Sequence, residues 1–224
     1  MSQPKQREKD RDPYDAIRPW SAITHAVGAA LTLLCTIWLL RGSAGDTRKL
    51  VGFAVYGASN LCLYVASTLY HCLRTSVQGR VALKKYDHIS IYLMIAGTYT
   101  PICLVMLGTV GRWLLIVIWA VALAGSVMTL FWVTCPRWVS STFYIAMGWI
   151  AVAAIYPIWK AVGWKGVSML LAGGLIYTVG GVLYALKWPG RHNPRFGCHE
   201  IFHVLILLGS AAMFLMVATV VLPA

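Results

Sequence analysis

Charge is what this sequence has least of. Only 12% of its 224 residues are charged, and of seven acidic residues four (Glu8, Asp10, Asp12, Asp15) fall within the first nineteen positions. Soluble domains carry roughly a quarter charged residues. The shortage, together with 59% hydrophobic residues and a mean hydropathy of +0.70, excludes a soluble enzyme and identifies an integral membrane protein. Paired cysteines are also lacking. Cys35, Cys62, Cys72, Cys103, Cys135 and Cys198 form no CxxC pair and three lie inside apolar runs, so free thiols are expected. No small-residue cleavage site follows Leu40, and the polar tail 1–19, with Lys5, Arg7, Lys9, Arg11 and Arg18, is unlike a short signal n-region. The formal charge of +12 comes from basic residues in short connections between apolar runs. That placement suits a membrane surface and argues against nucleic acid as a partner.

Long apolar runs are abundant. A spanning helix needs about 20 apolar residues, and seven such runs occur, at 22–40, 50–70, 88–108, 113–133, 138–159, 166–186 and 199–222. Backbone groups in lipid must bond within their own segment, so the expected fold is all-α, a seven-transmembrane helix bundle over 20–224 behind the tail. The runs do not alternate as barrel strands would. With a cytoplasmic N-terminus, thirteen Lys and Arg fall on the inner side and six on the outer, giving N-terminus cytoplasmic and C-terminus outside. That orientation is the reverse of a G-protein-coupled receptor.

The polar residues gather on this topology. His199 and His203, one turn apart, share a helix face and can reach one metal ion. The second run carries Asn60, Tyr64, Ser67 and His71 along one face, which should turn inward from lipid. His25, His71, Asp87, His88, His199 and His203 all reach the cytoplasmic leaflet, although only Lys and Arg set the orientation. His25 and His88 are expected as supporting or packing residues and His192 as a solvated loop residue. Cys72 and Cys198 adjoin candidate ligands, but consecutive helical residues point about 100° apart, so neither is expected to ligate. Gly173, Gly174, Gly180 and Gly181 form a candidate packing face. Trp20, Trp113, Trp138, Trp159, Trp164 and Trp188 lie near span ends as an aromatic belt would.

Three motifs carry a resemblance: Ser67-Thr68-Leu69-Tyr70-His71, the stretch Tyr86-Asp87-His88 running on to Gly97-Thr98-Tyr99-Thr100-Pro101, and His199-Glu200-Ile201-Phe202-His203. Over all seven runs the chain resembles the hemolysin III proteins, relatives of the progestin and adipoQ receptors and, more distantly, of alkaline ceramidases. The resemblance implies a zinc ion near the cytoplasmic side held by His71, His199 and His203, with Asp87 and Ser67 beside it. The Glu and Asn often found ahead of the first-helix histidine are here Arg18 and Ser21. Three imidazoles with one open position suit catalytic zinc, whose bound water reaches a pKa of about 7. Asp87 would hold or deprotonate that water and Ser67 would orient a ligand or stabilise an oxyanion.

The expectation is therefore a zinc-binding protein of the cell membrane, a lipid-directed hydrolase of amides or esters or a regulator of membrane state. Membrane lipids are its partners and a lipid its candidate substrate; the sequence sets no oligomeric state. A non-enzymatic cytolysin or pore-former, or a receptor-like protein, is the alternative. HExxH is also the zincin pattern, with Glu200 as general base. Asp87 lies outside the Leu-Asp-Gly context of intramembrane proteases, which counts against that reading.

Overall fold

The computed structural model describes residues 16–190, 193 and 196–224. Most of the tail (1–15) and His192 lie outside the described residues. Seven α-helices follow in order: α1 (Pro19–Gly42), α2 (Thr47–Cys72), α3 (Val77–Val105), α4 (Gly108–Phe131), α5 (Arg137–Trp149), α6 (Ile155–Leu186) and α7 (Cys198–Met216). Two start where the preceding side chain satisfies free backbone N–H groups. Asp46 Oδ1 accepts from Arg48 N at 2.9 Å and Lys49 N at 3.1 Å ahead of α2, and Ser76 Oγ accepts from Gly79 N at 3.2 Å ahead of α3. The cap at Ser76 starts α3 well before the apolar run expected at 88–108. The last carbonyls of α2 are closed by the buried Arg80, which donates to Tyr70 O and, at 2.9 Å, to Leu73 O.

The protein is an all-α membrane bundle, but six helices, not the expected seven, are long and apolar enough to cross a membrane among the described residues. The difference lies in the expected fifth and sixth spans. A 3-10 turn (Ile150–Ala154) joins α5 to α6 in one 50-residue run, Arg137–Leu186. A straight helix of that length would extend about 75 Å, more than twice the hydrocarbon thickness. The run is not straight. Gly163, at φ 63° and ψ −175°, has non-helical geometry open to glycine. Trp149 Nε1 donates to Thr178 Oγ1 at 2.9 Å, and Gly181 packs against Ile145. These pairs lie almost symmetrically about residue 163, so the two arms run antiparallel, side by side.

The outer surface is apolar, with Leu34, Leu123, Phe131 and Leu186 exposed, as lipid contact requires. Trp20, Trp113, Trp138, Trp164 and Trp188 are exposed at helix ends. Inside, the stripe Asn60, Tyr64, Ser67 and His71 is buried as expected. Tyr64 Oη donates to Ser210 Oγ at 2.7 Å and Tyr177 Oη lies 2.9 Å from the same hydroxyl, tying α2, α6 and α7 together. Gly173 and Gly180 meet Met213 and Leu205 of α7. Gly174 has no neighbour in reach of an added Cβ and lines a cavity. All six cysteines are free, Cys103 and Cys198 buried and Cys72 exposed.

Candidate metal centre

The last turn of α2 and the first two turns of α7 meet at one end of the bundle, and there three imidazoles converge. His199 Nε2 lies 3.1 Å from His71 Nε2 and 3.2 Å from His203 Nε2. All three ligand atoms fall within 4.8 Å of one another, with His71 and His203 each 2% exposed. Zinc–nitrogen bonds of 2.0–2.1 Å in a tetrahedron set ligand atoms about 3.3–3.4 Å apart. Two of the three edges are therefore already near that spacing, and the cluster can hold a metal ion. No cysteine or carboxylate joins it among the described residues.

The rings are held from behind. His71 Nδ1–H donates to Ala16 O at 2.7 Å, which leaves Nε2 as the lone-pair nitrogen of the neutral ring. Arg18 N donates to His71 O at 3.1 Å, so the segment entering α1 is strapped across the end of α2. His25 stacks on His203 at 3.8 Å between ring centroids and 27° between planes, with Tyr64 edge-on to it at 5.1 Å. His25 thus packs directly on the His203 ring.

Asp87 and Ser67 line the same cavity as the three histidines. Asp87 Oδ2 lies 3.5 Å from His88 Nδ1, without hydrogen-bond geometry. Ser67 is buried, one turn before His71. The cavity has a volume of about 360 Å³. Along α3 it runs from Asp87 to Ile102, about 22 Å at helical rise. Its polar end holds the histidines, and its depth is lined by apolar groups such as Ile95, Ile102, Leu114 and Ile158.

Glu200 does not line this cavity. Its Oε2 accepts from Gly197 N at 2.8 Å, and its Oε1 accepts from Arg18 Nη1 at 3.1 Å and Ser21 Oγ at 3.3 Å. The carboxylate is 2% exposed, a structural anchor between α1 and α7. Sequence reasoning missed this anchor. It also missed Tyr184, whose ring packs 5.5 Å from His199 and under the Arg137 guanidinium at 4.7 Å. Neither contact has a spacing signal, because the partners lie on different helices.

The model of the haemolysin-III related family matches residues 18–214. The chain is 38% identical over 197 residues to a protein named Hemolysin-3 homolog from Bacillus subtilis (strain 168), covering 87% of this chain and 89% of that one. It is 39% identical over 207 residues to Hemolysin-3 from Bacillus cereus, covering 91% of each.

Proposed function

The chain belongs to the haemolysin-III related family, and from that premise we propose that it is a zinc-dependent membrane hydrolase acting on an amide or ester of a lipid. The observation that carries the reading is the convergence of three imidazole Nε2 atoms at the polar end of a long apolar cavity. In this reading the antiparallel arms of the 50-residue run count as two crossings. The bundle then crosses the membrane seven times, with the N-terminus and the histidines on the cytoplasmic side, as the Lys and Arg distribution favours.

Zinc held by three histidines supplies a water with a pKa near 7 and an electrophile for a carbonyl. The chain does the rest. Ala16 O and His25 fix the ring planes of His71 and His203, so the donor set is preorganised. The apolar depth takes up an acyl chain and excludes bulk water from its carbonyl end. Asp87 would take the proton from the attacking water and pass it to the departing amine or alcohol, and Ser67 Oγ would donate to the carbonyl oxygen as negative charge develops there.

Metal analysis of the purified protein tests the site. Stoichiometric zinc that is lost on His71→Ala, His199→Ala or His203→Ala is expected; no zinc, or zinc retained after His71→Ala with His203→Ala, overturns it. Activity is a separate measurement. A screen of lipid amides and esters in which Asp87→Ala makes no difference would leave a zinc that is structural or regulatory. A membrane-lysing function is suggested by the names of the relatives. Leakage that survives loss of all three histidines would favour it over metal chemistry.

A further inference from the structure

The geometry points to an anion-recognition site at the mouth of the cavity, formed by Arg137, Lys84 and Ser141, which takes the phosphate or carboxylate headgroup of a single-chain lipid. The inference rests on the reading of the cavity as a lipid site and names the class of lipid.

Charge is the first observation. Basic residues at a cytoplasmic membrane edge ordinarily face headgroups from the outer surface. Lys84 and Arg137 instead line the internal cavity together with the histidines, close enough for their charges to interact. Among the described residues neither has a carboxylate partner. Glu200 is engaged by Arg18, Asp87 lies against His88, and Asp46 caps α2. Arg137 is also the first residue of α5, where the positive end of the helix dipole disfavours a cation. Two cations on one cavity wall, Arg137 at the N-terminus of α5 and Lys84 within α3, with Asp87 the one described acid lining the same cavity, make a net positive potential there against low-dielectric walls.

Ser141 is the second, independent observation. It is 4% exposed and lines the cavity on the first turns of α5. Its hydroxyl has no hydrogen-bond partner among the described residues, whereas neighbouring Ser140 donates to Arg137 O at 3.0 Å. That hydroxyl is open to the cavity and free to donate to a ligand there.

Position is the third. The Arg137 guanidinium lies over the Tyr184 ring at 4.7 Å, and Tyr184 packs against His199 at 5.5 Å. An anion on the free edge of that guanidinium is therefore one ring removed from the histidine cluster. A lipid with its headgroup there and its chain along the apolar wall toward Ile102 passes the histidines with the bond nearest the headgroup.

Equilibrium binding to the purified protein in neutral detergent tests the site. The probes are dodecyl phosphate, N-dodecanoylglycine and the neutral N-dodecanoylethanolamine, with inorganic phosphate as a chainless anion. At least one anionic amphiphile is expected to bind about tenfold or more tightly than the neutral one, as charge-assisted hydrogen bonds allow. The phosphate and glycine arms identify which headgroup is preferred. Arg137→Gln with Lys84→Gln should collapse that ratio while the zinc content stays stoichiometric, and Arg137→Lys should retain most of it. Equal affinities in the unaltered protein, a ratio that survives the double variant, or equal binding of inorganic phosphate each overturn the headgroup site and leave the lipid reading standing. Failure of all three amphiphiles to bind overturns the lipid reading and the site with it.

Discussion

Glu200 occupies the position that a zincin assigns to its general base, yet its partners give it a different task. Three donors, from Arg18, Ser21 and Gly197, occupy the carboxylate. Two of them come from the positions where the chain departs from the family pattern, so the entry to α1 does carry a polar role. Glu200→Gln keeps an acceptor for one donor and is expected to lower turnover of a lipid amide or ester by less than about tenfold, whereas loss of a general base costs about 10²–10⁴-fold. A larger loss at unchanged zinc content would return Glu200 to the catalytic machinery. Arg18→Ala leaves the buried carboxylate without its cation and is expected to destabilise the protein by about 1–3 kcal/mol. It also loosens the strap over His71. The change is read as a lower melting temperature in detergent and as faster removal of zinc by a chelator.

Single elements show which parts of a membrane chain are legible in advance. Apolar runs had to become helices, since lipid offers the backbone no other partner, and α1, α2 and α4 match their expected spans to within a few residues. The polar turns beyond the runs were not legible in the same way. Hydropathy falls at Lys84 and Lys85, but the backbone keeps its helical bonds back to the Ser76 cap. By contrast, Lys160 and Lys165 interrupt the apolar pattern where the helix is also broken, at Gly163, the one residue of Ile155–Leu186 with non-helical dihedrals. Because that conformation is nearly closed to side chains, Gly163→Ala is expected to cost about 1–3 kcal/mol. Gly148→Ala is the control, since a Cβ there meets nothing within 4 Å and φ is not positive; it should leave the melting temperature unchanged or raise it. Equal effects at both positions would show that the reversal at Gly163 carries no strain.

At the scale of the whole molecule, sequence reasoning found the histidines because HxxxH is a local pattern and because the Lys and Arg count sends the candidate ligands to one leaflet. The ring order Arg137, Tyr184, His199 was not legible, since it depends on how α5, α6 and α7 pack at that end. The same packing makes the number of crossings testable. Cys72 is exposed at the histidine end of α2, and Lys165 is exposed beside the reversal at Gly163. If the 50-residue run crosses twice, these two positions lie on opposite sides of the membrane. A membrane-impermeant maleimide applied to intact cells should then label Lys165→Cys in a Cys72→Ser background and leave Cys72 of the unaltered chain unlabelled until the cells are opened. Labelling of Cys72 from outside would invert the orientation and move the histidine cluster to the outer leaflet. Labelling of both positions from the same side would mean that the reversal at Gly163 does not reach the far face and that the run does not cross the bilayer twice.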